Sequence, residues 1–301
     1  MVAARPHRGG SSLSLPHRDR GAAKKDLTPL VGGRYRLLER VGAGGMATVY
    51  RARDERSDRD VAVKVIRERL AGNGALVRRL RREAELGARL AHPNIVAVLD
   101  AGRDFMVMEL VRGADAGMLL RRRGRLPCAQ VVHLMAQVAA ALQHAHDQGL
   151  VHADVSPANI LVGDGGTTAK LADFGLACGV RERPRACGAD VMGTPGYVAP
   201  EVAGGDGPSP SSDVYSLGAV TYRLAGGRAS ARPADRDATA PLPTAVTPMP
   251  VLADACPDLP RAVAEAVQRA VDRDPGARQA SAAEFGAELL VGLQPELALA
   301  A

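Results

Sequence analysis

The sequence predicts an α+β chain in two lobes: a small antiparallel β lobe carrying one helix, then a larger, mainly helical lobe. Three observations predict it. Short Val/Leu-rich strand patterns crowd residues 31–111, with one helical segment among them. Beyond Pro127 the apolar spacing changes to the i, i+3/i+4 rhythm of helices. The 301 residues are enough for two lobes, each with its own buried core.

Taken in order, residues 1–30 are rich in Arg, Gly, Ser, Pro and His without periodicity and are expected to form a disordered basic tail. "YRLLERV", "ATVYRARD", "DVAVKVI", "IVAVLD" and "FMVMEL" read as the five strands of the N-terminal lobe, 31–111, and "ALVRRLRREAELGARLA" as its helix. The second lobe spans 112–292. In "CAQVVHLMAQVAAALQHAHDQG", Val131, Leu134, Met135, Val138, Leu142 and Ala145 make one apolar stripe. Pro127 stands at its start and Gly149 at its end, the expected asymmetry of helix termini. "SSDVYSLGAVTYRLAGG" is apolar nearly all round, which predicts a buried helix. Residues 228–258 are Ala/Pro-rich and patternless, and are expected to be a long loop. "LPRAVAEAVQRAVDRD" and "SAAEFGAELLVGL" close the lobe as two helices, Ser281 and Glu284 forming a capping box for the second. Residues 293–301 are a short tail, and no internal repeat is present.

Composition narrows the class. Aromatic residues are 3% with no Trp, so the cores must be built from Leu, Val and Ala. The net charge of +6 favours acidic partners, but the Arg residues are dispersed and no nucleic-acid partner is expected. Cys128, Cys178, Cys187 and Cys256 form no C-x-x-C and no zinc spacing, which reads as free thiols in a reducing cytoplasm. No apolar run reaches the ~18 residues of a membrane span. The basic N-terminus lacks the apolar stretch of a signal peptide.

Several short strings carry chemistry. "VGAGGMATV" (41–49) lies between two strand patterns, and Gly42, Gly44 and Gly45 let backbone amides approach phosphates without a Cβ in the way. "VAVKV" places Lys64 among apolar neighbours, and Glu83 on the following helix is its candidate partner, with Glu85 as the rival. "HADVSPAN" and "ADFG" supply Asp154, Asn159 and Asp173, a base and two oxygen ligands of the kind Mg²⁺ prefers. "GTPGYVAPE" (193–201) and "SDVYSLG" (212–218) follow.

In this order and spacing the strings resemble protein kinases, specifically the bacterial eukaryotic-like (Hanks-type) Ser/Thr kinases, from about Tyr35 to Leu290. The resemblance implies the two-lobed protein kinase fold and ATP with Mg²⁺ as cofactors. It implies phosphorylation of Ser/Thr hydroxyls on protein substrates. Lys64 would hold the α- and β-phosphates and pair with Glu83. Asp154 would orient the substrate hydroxyl and accept its proton, and Thr194 would shape the site beside it. Asn159 and Asp173 would hold Mg²⁺, with Phe174 packed below. Val41, Gly42, Gly44, Gly45, Val49 and Ala62 would enclose the nucleotide. Met108 would line the back of the adenine pocket, and Glu109 and Leu110 would begin the hinge strand. Glu201 would pair with Arg278, and Asp213 would hold the catalytic-loop backbone.

The chain departs from the family in two letters of its catalytic loop, "VHADVSPANI". Ala153 replaces the Arg that meets an activation-segment phosphate, and "LACGVRERPRACGADVMG" (176–193) has no Ser, Thr or Tyr. Receptor and acceptor of that phosphate are missing together, which predicts a non-RD kinase independent of activation-segment phosphorylation. Ser156 replaces the Lys that faces the transferring phosphoryl group. Loss of one such donor costs on the order of 10²–10³ in rate, and the loop is expected to accept Lys, since related kinases carry it. The alternative is a nucleotide-binding pseudokinase scaffold that regulates a partner protein. A small-molecule phosphotransferase is disfavoured by "GTPGYVAPE", which serves peptide substrates in protein kinases. "RRRGR" (121–125) reads as a solvated helix end, and Cys178 and Cys187 as two unrelated thiols.

Overall fold

The computed structural model describes residues 30–179, 193–226, 251–256 and 258–294. Six antiparallel strands form one sheet in the order β1-β2-β3-β4-β6-β5. They are β1 (Leu30–Val31), β2 (Tyr35–Ala43), β3 (Ala47–Asp54), β4 (Arg59–Ile66), β5 (Val98–Ala101) and β6 (Phe105–Glu109). The two-residue β1 is the addition to the five expected strands, and pairs with the start of β2. Helix α1 (Gly74–Gly87) is capped by Asn73, whose side chain accepts from the amides of Ala75 and Leu76. It buries Leu80, Glu83, Ala84 and Gly87.

The "IVAVLD" pattern divides. Only its end joins β5; Ile95 instead makes a parallel bridge with Leu171 of the other lobe and is buried in that lobe's core. An apolar run reads as one strand whichever core its residues enter, so the sequence did not separate the two fates.

The second lobe begins with β7 (Gly113–Asp115), which joins β9 (Ile160–Gly163) and β10 (Ala169–Leu171) in a three-stranded sheet. The other small sheet pairs β8 (Leu150–Val151) with β11 (Cys178–Gly179). Helix α2 (Ala116–Arg123) ends with Arg121, Arg122 and Arg123 in its last turn, where cations meet the negative end of the helix. Helix α3 (Cys128–Asp147) buries all six residues of the predicted stripe. After α4 (Pro200–Ala203), α5 (Pro210–Gly226) is buried without a break from Ser212 to Tyr222. Helices α7 (Arg261–Ala270) and α8 (Ala282–Leu293) pack on one another, α7 against α5 and α8 against α3.

Three expectations need correction. Leu252–Ala255 form a short helix, α6, inside the stretch expected to be loop; Leu252 is wholly buried in the core, which the isolated pattern did not show. Leu30 and Leu293, placed in the two tails, begin β1 and end α8. At the α8 cap, Ser281 Oγ accepts from the Glu284 amide at 3.0 Å, but the Glu284 carboxylate reaches the amide of Ala280, one residue earlier than a capping box requires. The rest of the tails, most of the expected loop and Cys187 lie outside the described residues. Among the described residues, no helix is long and apolar enough to cross a membrane.

One buried ion pair ties the lower lobe. Arg278 makes two parallel bonds of 2.7 Å to Glu201, donates to the Ser211 carbonyl at 3.0 Å, and lies over the Tyr215 ring. Its side chain is completely buried. Arg278→Ala strands the Glu201 carboxylate, and urea unfolding is expected to show a loss of about 3–5 kcal/mol. Arg261→Ala, which breaks an exposed i,i+4 pair with Glu265, is expected to leave the midpoint unchanged.

Candidate functional site

The site lies where the two lobes meet. Its upper wall is the β2–β3 hairpin, its back is β4 and β6, and its floor is the segment from β8 to β10. A cavity of about 440 Å³ opens there, of the size that holds a small-molecule ligand. Val41, Gly42, Val49, Ala62, Lys64, Glu83, Met108, Glu109, Leu110, Asn159 and Asp173 all line it. Gly44 and Gly45 do not; they form the hairpin turn above, where the Gly44 amide donates to the Ala47 carbonyl at 2.9 Å. Neither has a positive φ. A Cβ at Gly44 would come no nearer than 3.8 Å to another atom, and one at Gly45 would meet open space. The chain's own packing therefore does not call for glycine at either position, whereas a ligand approaching the turn would.

Lys64 projects from β4 between two carboxylates. Its ammonium lies 2.6 Å from Glu83 Oε1 on α1 and 3.0 Å from Asp173 Oδ2. Glu85, the rival, is exposed on the other side of α1. Burial works against the Lys64 ammonium, but the Asp173 and Glu83 charges outweigh it and raise its pKa. Burial also works against ionised Asp173, yet Lys64 and the Gly175 amide hold its carboxyl below the usual range. For Glu83 burial prevails: with the Asp173 charge it pushes the carboxyl up to about 7, against the pull of Lys64. Glu83 Oε2 is buried and has no hydrogen-bond partner.

Asp154 is held at both oxygens. Oδ1 accepts from the Thr194 amide at 2.8 Å and hydroxyl at 2.7 Å, and Oδ2 from Asn159 Nδ2 at 3.0 Å. Asn159 Nδ2 also donates to the Asp154 carbonyl, which commits the amide hydrogens and turns Oδ1 outward as an oxygen ligand. Gly193 has φ +115°, and a Cβ there would come within 2.9 Å of Val198 and 3.4 Å of the Ala153 carbonyl; glycine is what lets the chain reach Asp154 with Thr194.

The loop itself is held from below. Asp213, 1% exposed on α5, accepts from the amides of His152 at 2.8 Å and Ala153 at 2.9 Å, and bonds His146 Nε2 at 2.8 Å. Ala153 has φ +65°, a left-handed conformation uncommon for a residue with a Cβ. His152 Nδ1 accepts from the Asp154 amide, so Nε2 carries the hydrogen and donates to the Ala172 carbonyl at 3.1 Å. Its ring meets Phe174 edge-on, with centroids 4.7 Å apart.

Ser156 departs from expectation. It is wholly buried, its hydroxyl has no partner, and it does not line the cavity. The serine hydroxyl therefore does not face the cavity, and it does not stand in for the cation that a Lys would supply there.

Sequence reasoning missed several cavity residues: Val96, Arg112, Asp115, Met118, Leu161 and Ala172 among them. Asp115 carried a signal, since an Asp before "AGMLL" marks a helix start; its side chain accepts from the Met118 amide at 2.7 Å. Oxygen ligands from Asn159 and Asp173 suit Mg²⁺, which keeps few protein ligands and takes the rest from phosphates and water. Lys64 supplies the cation such phosphates need, so the residues fit a Mg²⁺-nucleotide.

The protein kinase domain model matches residues 35–263. The serine/threonine-protein kinase PknA of Mycobacterium tuberculosis is 39% identical over 274 residues, covering 86% of this chain and 62% of the relative. PknL of the same organism is 38% identical over 282 residues, covering 90% and 68%. PrkC of Bacillus subtilis is 34% identical over 267 residues, covering 86% and 40%. The chain thus spans less than two thirds of the length of PknA and of PrkC. The crystal structure of the M. tuberculosis PknI kinase domain superposes with a TM-score of 0.66 at 29% identity, over 88% of this chain and 98% of that one.

Two measurements follow from the geometry. Glu83 holds its proton more tightly in the fold than in the unfolded chain. Its contribution to stability is therefore full below about 4.5 and is lost as the pH rises through about 7. Glu83→Gln is expected to gain in urea midpoint relative to the parent between about pH 5 and about pH 8; a constant difference contradicts the assignment. Ser156→Ala removes a buried hydroxyl that bonds nothing, and is expected to raise the unfolding free energy by about 1 kcal/mol.

Proposed function

The chain belongs to the protein kinase family, on its bacterial Ser/Thr branch, and on that premise we propose that it transfers the γ-phosphoryl of ATP to Ser and Thr hydroxyls of proteins. The observation that carries the reading is the meeting, in one cleft, of Lys64 between Glu83 and Asp173 with Asp154 held by Thr194 and Asn159. Mg²⁺, when bound, neutralises charge on the phosphates. Asn159 Oδ1 and the Asp173 carboxylate would hold it, and Lys64 would take the α- and β-phosphates. The β2–β3 turn would cover the phosphates, Val41, Val49 and Ala62 would enclose the nucleotide, and Met108 would back the adenine beside Glu109 and Leu110. Asp154, fixed at both oxygens, orients the incoming hydroxyl and takes its proton. The lobe division at 111/112 is supported by β6 and β7 belonging to different sheets.

The same reading makes the loop a non-RD type that acts without activation-segment phosphorylation. Ala153 offers no guanidinium, 176–193 offers no hydroxyl, and Thr194 is already bonded to Asp154. The scaffold alternative is favoured by one observation, Ser156 buried where the family directs a cation at the phosphoryl group.

Purified chain incubated with labelled ATP and Mg²⁺ is expected to yield phosphoprotein. Asp154→Asn should lower the rate about 10²–10⁴-fold, and Asp173→Ala should abolish transfer. Phosphatase-treated enzyme should keep its initial rate toward a protein substrate; a loss regained on preincubation with ATP contradicts the independence. ATP binding without phosphoprotein selects the scaffold.

A further inference from the structure

A second cavity, of about 410 Å³, lies away from the cleft at the N-terminal end of α3, with Arg125, Cys128 and Cys256 in its wall. Three contacts bring distant parts of the chain together there. The Leu126 amide donates to the Leu224 carbonyl at 3.0 Å. The Cys256 thiol donates to the neighbouring Ala225 carbonyl at 3.7 Å, and Arg125 Nη1 donates to Cys256 Sγ at 3.5 Å. The start of α3, the end of α5 and the residue after α6 therefore converge, and both cysteines are free thiols. Cys256 is 4% exposed, whereas Cys128 is partly open to solvent. The Arg125 side chain is about half exposed and brings a cation to the same wall, where it pairs at 3.2 Å with the exposed Asp258 carboxylate.

We propose that Cys128 and Cys256 form a redox pair that closes to a disulfide by exchange with a low-molecular-weight disulfide bearing carboxylates. The reading is independent of the phosphotransfer reaction. The Cys128 thiolate, the accessible one, attacks one sulfur of the oxidant; a mixed disulfide forms and the first small thiolate leaves and takes a proton. The Cys256 thiolate then attacks the Cys128 sulfur, the protein disulfide forms, and the second small thiol leaves. Two protein thiols are oxidised and one external disulfide is reduced to two thiols, so atoms and electrons balance. A carboxylate of the oxidant takes the place of the exposed Asp258 carboxylate on the Arg125 guanidinium as it docks at the wall. Burial, helped by the neighbouring Cys256, raises the Cys128 pKa, so the exchange quickens as the pH rises. The closed bond staples the start of α3 to the chain beyond α6 and raises the thermal midpoint of the oxidised protein.

The test treats the whole chain with oxidised glutathione and maps its thiols by mass spectrometry without reduction. The expected product is a linked pair of peptides containing Cys128 and Cys256, lighter than the free pair by two hydrogens, with a raised thermal midpoint reversed by a reducing thiol. Cys256→Ser should stop at a stable glutathione adduct on Cys128, and Cys128→Ser should leave Cys256 unmodified. Cys128 linked to another cysteine, both thiols capped singly in the parent, or neither reacting while the protein stays folded would each overturn the proposal.

Discussion

One buried carboxylate holds the floor of the cleft. Asp213 sits on a helix with no exposed face over most of its length, and accepts from two consecutive loop amides and from His146. A charge in such a place is tolerated only when hydrogen bonds replace its lost water. Those bonds also hold Ala153 in its left-handed conformation, a local strain that needs support from its surroundings. The turn made at Ala153 presents Asp154 to Thr194 on one side and Asn159 on the other. Helix α5 is thus buried all round partly because it carries this anchor into the middle of the lobe.

The upper half depends on Lys64 in a comparable way. Its ammonium ties β4, α1 and the residue before Phe174 through two carboxylates. Little room is left around the pair: a Cβ at Gly175 would stand 2.8 Å from Asp173 Oδ1 and 3.1 Å from Glu83 Oε2. Movement of α1 away from the sheet would separate Glu83 from Lys64 and leave a buried carboxyl without its cation.

The site was legible where short strings fix local backbone and chemistry together. Lys64, Asp154, Asn159, Asp173 and Thr194 stand in such strings, and the structure gathers them at one cleft. The all-apolar α5 and the stripe of α3 were legible because burial on every side, or on one, leaves a direct mark in residue spacing. Other features depend on what lies opposite. Ile95 reads as strand but enters the second lobe, Leu252 reads as loop but is a core residue, and Arg112 and Asp115 reach the cavity only through the path of β7. Ser156 shows the limit most plainly. A serine is read as small and polar from its letter, while its complete burial comes from neighbours that the letter does not name.

The two lobes are stitched together by residues 94–96 and β10. The Val96 amide donates to the Leu171 carbonyl, the Leu171 amide to the Asn94 carbonyl, and the Asn94 side chain reaches Ala169 and Gln137. Hydrogen bonds of this kind bend at low cost but break when their partners slide past one another. A rotation of one lobe against the other that preserves these bonds has its axis close to Leu171, two residues from Asp173. Near an axis arcs are short, so under such a rotation the Asp173 carboxylate moves least while the β2–β3 turn, far out on the same lever, sweeps furthest.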